Sequence, residues 1–165
     1  YAGEIGHIPL FDNEKICLCG KKGCLQTEAS GFALIEFITK KMNEGSNSRL
    51  NFVIKKKGFL ELEDIIKAVE LGDNLAIEGV TTIGYNLGKG LSVAINMFNP
   101  NFIIIGGTLS ALGDSLLLPV IQSSIFQHSL SLVNTDTRIM VSKINAKAGL
   151  LGCCLLVRDK TLGLV

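Results

Sequence analysis

The chain has 165 residues, a formal net charge of +1 and a mean hydropathy of +0.40, enough for one domain with a sizeable core. The near-neutral balance excludes a nucleic-acid footprint, which would show as a basic stripe or a strongly basic pI. The apolar runs, Phe102 to Ile105 and Leu116 to Ile121 broken by Pro119, are too short to cross a bilayer, so the high hydropathy points to helices buried on several sides or to a partner surface.

The first segment, Gly3 to Ser30, reads GEIGHIPLFDNEKICLCGKKGCLQTEAS and places His7, Cys17, Cys19 and Cys24 within eighteen residues. Three cysteines and one histidine are the ligand set of a closed structural zinc site, here a loop over residues 7–24. Gly20 and Gly23 let the chain turn tightly enough for Cys19 and Cys24 to reach one ion. With all four positions filled by protein, such an ion ties a loop down and offers no open site to water or substrate. Binding needs thiolates, so the site weakens at low pH. A disulfide fits less well, because Cys17 and Cys19 are too close to pair comfortably. No secretory leader is expected, and zinc thiolates beside unpaired cysteines suit a reducing cytoplasm.

Ser30 is placed to cap a helix through about Asn43, with Phe32, Leu34, Ile35, Ile38 and Met42 at helical spacing. Gly45 to Ser48 marks a loop. Leu50 to Leu60 is open between a short strand through Phe52, Val53 and Ile54 and a helix; Lys55, Lys56 and Lys57 read as a solvated loop. A short amphipathic helix covers Leu62 to Leu71, and Gly72 and Asp73 end it and open the next. That next helix is long, from about Asn74 to Phe98, with Val80, Ile83, Leu87, Leu91, Ala94, Ile95 and Phe98 on one face. Gly84 and Gly88, one turn apart, would let another backbone approach closely. Asn99 and Pro100 stop it.

Phe102 to Ile105 has the composition of a fully buried strand and runs into Gly106, Gly107 and Thr108. A helix follows from about Asp114, with Pro119 as a possible kink. Arg138 to Ile144 alternates as a strand does, and Ala148 to Arg158 is the last helix, where Cys153 and Cys154 are expected as buried small hydrophobes. Strand, glycine turn and helix together indicate an α/β layer, whose ligands gather at the carboxyl ends of strands. Gly106 and Gly107 stand at such an end.

GEIGH followed by CLCGKKGCLQTEASG resembles the signature of the ROK family, which joins repressors, open reading frames and sugar kinases. LGKGLSVAINMFNPNFIIIGGTLS resembles the family's long helix, buried strand and Gly-Gly turn, and AKAGLLGCCLLVRD its closing helix. The match covers most of the chain, with Gly45 to Leu60 the weakest part. The resemblance implies an actin-like ATPase (ribonuclease H-like) fold, in which residues 1–165 form the C-terminal lobe with an inserted zinc loop. It also implies that Glu4 and His7 touch hydroxyls of a bound sugar, whereas from the residues alone Glu4 reads as a solvated surface carboxylate. The family's third sugar-binding position, usually glutamate, is Gln26 here. Glutamine keeps the reach and one acceptor oxygen, loses the charge and gains two donors. Family kinases place ATP near the turn that corresponds to Gly106, Gly107 and Thr108.

Two functions follow from the resemblance. One is the sugar-sensing domain of a cytoplasmic transcriptional regulator of carbohydrate metabolism, a homodimer or tetramer that meets DNA only through a helix-turn-helix outside this chain. The other is the C-terminal lobe of an ATP-dependent sugar kinase of glucokinase or N-acetylhexosamine kinase type, the only case that calls for ATP and Mg²⁺. No catalytic residue is assigned, because the family's aspartate belongs to a lobe upstream of Tyr1, and Asp12 and Asp114 lie in other motifs. The chain, which starts YAG within the motif region, therefore reads as part of a larger protein and should not transfer phosphate by itself. Gln26, and a tail (LVRDKTLGLV) resembling the ends of regulators, favour the first function. A zinc-stabilised interaction domain without ligand is a third reading.

Overall fold

The computed structural model describes residues 2–131, 136–144 and 147–164; Tyr1 and Val165, which bound stretches named above, lie outside them. Ser30 takes an extended backbone, and its hydroxyl accepts the Ala33 amide at 3.1 Å. The cysteine-rich loop thus gives way directly to helix α1, Gly31–Asn43. Leu34 and Ile38 on its inner face are buried, whereas Phe32, placed on that face by its spacing, is 86% exposed because it sits at the outer edge of the first turn.

The segment open between strand and helix is helical: α2 spans Leu50–Lys57. Ser48 accepts the Leu50 amide before it, and Gly58, at φ 83, closes it in the left-handed conformation. The three lysines are therefore the last turn of a helix, where cations meet the negative end of the dipole. Lys57 also reaches Glu61 and Asp64 at the start of α3, Leu62–Glu70.

Helix α4, Asn74–Phe98, is the spine. Asp73 caps it by accepting the Ala76 amide at 3.0 Å, and Asn99, at φ 43, ends it in the left-handed conformation. Helix α5, Leu118–His128, lies along α4. At Gly88 the two helices touch so closely that a Cβ would stand 2.5 Å from Ser124 Cβ and 2.7 Å from the Ile121 carbonyl oxygen. The approach lets the Ser124 hydroxyl donate to the Tyr85 carbonyl at 2.6 Å.

Strand β1, Phe102–Ile105, pairs in parallel with β2, Arg138–Val141, in the register Phe102 to Arg138 and Ile105 to Val141. Parallel pairing needs a crossover, and α5 supplies it. Between β1 and α5 the chain makes a 3-10 turn, Thr108–Leu112, and a π turn, Gly113–Leu117. The regular helix therefore begins after Asp114. Pro119 falls in its first turn, where a missing N–H is harmless, and does not act as a kink.

Leu34, Ile38, Ile65, Val80, Ile95 and Ile121 form the centre of one core between α1, α3, α4 and α5. Ile103 and Ile105 join it from β1, while Phe102 and Ile104 point away and are 55% and 64% exposed. The expectation of a strand buried on both faces is therefore corrected, because among the described residues helices cover one face of this pair. The last helix, α6, Ala148–Thr161, has no buried residue, so Cys153 and Cys154 are exposed rather than buried. Strand β2 ends at Val141, short of Ile144. Among the described residues no helix is long and apolar enough to cross a membrane.

Candidate metal and ligand site

The loop ahead of α1 is folded by backbone bonds between its two arms. Leu10 and Phe11 amides reach the Gly23 carbonyl, and the Leu25 amide reaches Ile8. The Cys17 amide donates to Lys21 at 2.8 Å, which closes a tight turn around Cys19 and Gly20. Gly23 has φ +68, and a Cβ there would lie 1.9 Å from the Phe11 carbonyl oxygen, so no side chain fits. The loop is anchored to the spine by Leu25, whose buried side chain lies on Gly90 of α4, and by Asn86 Nδ2, which donates to the Glu28 carbonyl at 3.0 Å. Lys15 bridges Glu28 at 3.0 Å and Glu36 at 3.3 Å, fixing the loop to α1.

These constraints gather His7, Cys17, Cys19 and Cys24, whose ligand atoms all lie within 4.8 Å of one another. Cys17 Sγ stands 3.4 Å from His7 Nδ1, and Cys19 Sγ stands 3.7 Å from Cys24 Sγ. A tetrahedral zinc ion, with Zn–S of about 2.3 Å and Zn–N of about 2.0–2.1 Å, has edges of roughly 3.8 Å between sulfurs and 3.5 Å between sulfur and nitrogen. The donor set and the spacing both fit a four-coordinate ion. No disulfide joins these cysteines. The Lys21 amide lowers the Cys19 thiol to about 7, whereas burial pushes Cys24 up to about 11. A cation among them would favour the thiolate in both.

His7 turns its other ring nitrogen outward, with Nε2 3.9 Å from Glu4 Oε2. Glu4 is exposed and His7 half-buried, so both present polar atoms to solvent at the mouth of the loop. Gln26 behaves in a way the sequence did not foretell: its Nε2 donates to Cys17 Sγ at 3.1 Å. Its Oε1 lies against Gly6, between Glu4 and His7. Beside it opens a cleft of about 440 Å³, lined in part by Ile16, Cys17, Leu18, Gln26 and Phe32.

The six residues Glu4, His7, Cys17, Cys19, Cys24 and Gln26 thus share one site. Gly106, Gly107 and Thr108 belong instead to the carboxyl end of β1, where Gly107 has φ +76 and a Cβ on either glycine would meet nothing within 4 Å. The residues that sequence reasoning missed are supports: Asn13, whose side chain donates to Glu28 Oε1 at 2.8 Å, with Lys15, Glu28, Glu36 and Asn86. They carry no spacing signal, because each acts across the fold.

A model of the ROK family matches residues 1–160. The chain is 34% identical to a glucokinase of Halalkalibacterium halodurans over 161 residues, covering 96% of this chain and 48% of the relative. It is 33% identical to an N-acetylglucosamine repressor of Escherichia coli O157:H7 over 148 residues, covering 90% of this chain and 35% of the relative. Among solved structures it resembles a ROK family transcriptional regulator, a homologue of the E. coli MLC protein, with a TM-score of 0.77 and 35% identity over 85% of this chain and 34% of that one. The chain thus spans half or less of the length of these relatives.

Proposed function

The chain belongs to the ROK family, and we propose that it is the C-terminal, sugar-sensing lobe of a sugar-responsive transcriptional regulator, with a structural zinc ion held by His7, Cys17, Cys19 and Cys24. Zinc there would lock the loop and lower the thiols to thiolates; with four protein ligands no coordination position remains for substrate. Glu4 accepts from sugar hydroxyls and His7 Nε2 meets a sugar oxygen, while Nδ1 of the same ring faces the cluster. A group that holds the metal with one nitrogen and the ligand with the other makes the sugar site depend on the loop being closed.

The observation that carries the regulator reading is Gln26. A neutral amide stands where the family pattern has a carboxylate, and one of its two donors is engaged by Cys17. The site therefore has one charge-assisted bond to the sugar fewer than the family pattern, leaving that of Glu4, which suits a reversible sensor better than a catalyst that must fix a hydroxyl for transfer. Sugar acts by binding one lobe arrangement better than another. DNA is met through a helix-turn-helix outside these residues, in a cytoplasmic homodimer or tetramer.

The second reading is an ATP-dependent sugar kinase, which the 34% identity to a glucokinase supports. Gly106, Gly107 and Thr108, open at the end of β1, would then take ATP with Mg²⁺. Calorimetry with hexoses and N-acetylhexosamines on the protein at its natural length, alongside an ATP-consumption assay, tests both. Sugar heat without ATP turnover is expected, and Glu4→Gln should weaken the sugar while leaving the metal in place. Turnover would replace the regulator with the kinase. No heat from any sugar, and no effect of Glu4→Ala, would leave a metal-stabilised interaction domain.

A further inference from the structure

We infer that Gln26 is a positioning residue of the metal cluster: one of its side-chain N–H groups holds the Cys17 sulfur, which fixes the amide with its oxygen on the Gly6 side. The inference rests on the reading that the cluster holds a metal ion. Besides the two other thiols, Cys17 Sγ faces His7 Nδ1 at 3.4 Å and Gln26 Nε2 at 3.1 Å. The first is a fellow ligand. The second has no unshared pair to offer a metal, because an amide nitrogen is a donor. Its role toward the sulfur is therefore outside the coordination sphere.

The chemistry favours an amide here over the carboxylate of equal length. Three thiolates and a neutral imidazole around a divalent cation leave one net negative charge, and the amide N–H points at the sulfur that bears part of it. A carboxylate has no proton to donate and would add a second negative charge next to Cys17. Donation to a charged acceptor is stronger than donation to a neutral one, so the bond tightens when Cys17 is a metal-bound thiolate. With Nε2 on the sulfur, the planar amide fixes where Oε1 falls, 3.5 Å from where a Cβ on Gly6 would stand. A hydroxyl-bearing ligand at Gln26 would meet the acceptor Oε1, and the second N–H of the amide stays available as a donor.

The test needs no activity. In ¹⁵N-labelled protein loaded with ¹¹³Cd, a through-bond coupling between cadmium and the Gln26 side-chain amide proton is expected, carried through Cys17 Sγ. In parallel, Gln26→Glu and Gln26→Leu should lower Co²⁺ affinity, measured against a chelator, by about 10–100-fold. Both variants should also shift the sulfur-to-cobalt charge-transfer band, with Gln26→Glu the weaker binder. Cadmium held by the parent with no coupling to this amide, or Gln26→Glu binding cobalt as tightly as the parent, overturns the inference. The coupling is read in the parent, so a variant that fails to fold does not decide the matter. A parent that develops no charge-transfer band at all overturns the metal reading, and this inference with it.

Discussion

Cys19 is the exposed member of the cluster, while Cys17 and Cys24 are buried. Its replacement therefore removes a ligand with little disturbance to packing. Cys19→Ser should lower metal affinity by more than the 10–100-fold typical of an outer-sphere partner, read as metal per chain after gel filtration against a weak chelator. A full equivalent retained would refute the ligand assignment. A second residue works far from the site. Burial alone would raise the Asp73 carboxyl, but N–H donors from Ala76 and Arg49 and the Ser48 hydroxyl outweigh it and hold it below its usual value. A depressed carboxyl contributes stability above its unfolded pKa of about 3.9 and loses it as pH falls through the lower folded value. Asp73→Ala should cost about 2–3 kcal/mol near pH 7, and the deficit should shrink below about pH 4 in urea unfolding. The clustering of His7, Cys17, Cys19 and Cys24 and the caps at Ser30 and Asp73 were legible in the sequence because loop closure and capping are short-range. The Gln26 bond was not, because the sequence gives its reach and not its direction.

Between elements, the most extensive seam is α4 on α5. Two glycines one turn apart face it with different clearances. At Gly88 a Cβ meets Ser124 Cβ at 2.5 Å and backbone at 2.7 Å; at Gly84 the nearest atom is Leu117 Cδ1 at 3.2 Å, the end of a side chain that can turn. Gly88→Ala should therefore destabilise by about 1–3 kcal/mol through overpacking, more than its gain in helix propensity of about 1 kcal/mol offsets. Gly84→Ala should fall within about 1 kcal/mol of neutral, since its propensity gain meets a milder clash. Thermal unfolding of the pair in parallel distinguishes them, and equal losses would mean the seam relaxes as a unit. The glycine pair was readable as a close-approach signal, but the difference between its members depends on what α5 presents. Helix α2 shows the converse. Phe52, Val53 and Ile54 suit a strand by composition, and the matter is decided by Ser48 before them and Gly58 after them.

Over the whole molecule, burial is what the sequence conveyed least, because burial depends on how many layers cover an element. Ile103 and Ile105 face the core, yet Phe102, Ile104 and Met140 lie bare on the other side of the same two strands. Helix α6 carries Leu150, Leu151, Leu155, Leu156 and Val157 exposed, with apolar residues all round its first ten positions. A helix of that kind is stable when covered on every side. Its exposed apolar side chains and those of the open sheet face make two apolar surfaces of the kind that mark contact sites. The mean hydropathy of +0.40 has its physical counterpart here. These 165 residues prepared by themselves should bind an environment-sensitive dye such as ANS and sediment as mixed oligomers whose mass rises with concentration. Placing aspartate at both Leu151 and Leu155 should reduce the dye signal and return the chain towards monomer, because α6 would then tolerate water. In a longer protein that carries the proposed first lobe, where α6 would be covered, the same double substitution should act in the opposite sense, lowering the melting temperature and speeding amide exchange along α6, since charge would enter a covered surface. A dark, monomeric 165-residue chain would show that α6 folds back onto the bare sheet in solution, and the same substitutions would then destabilise the short and the long protein alike.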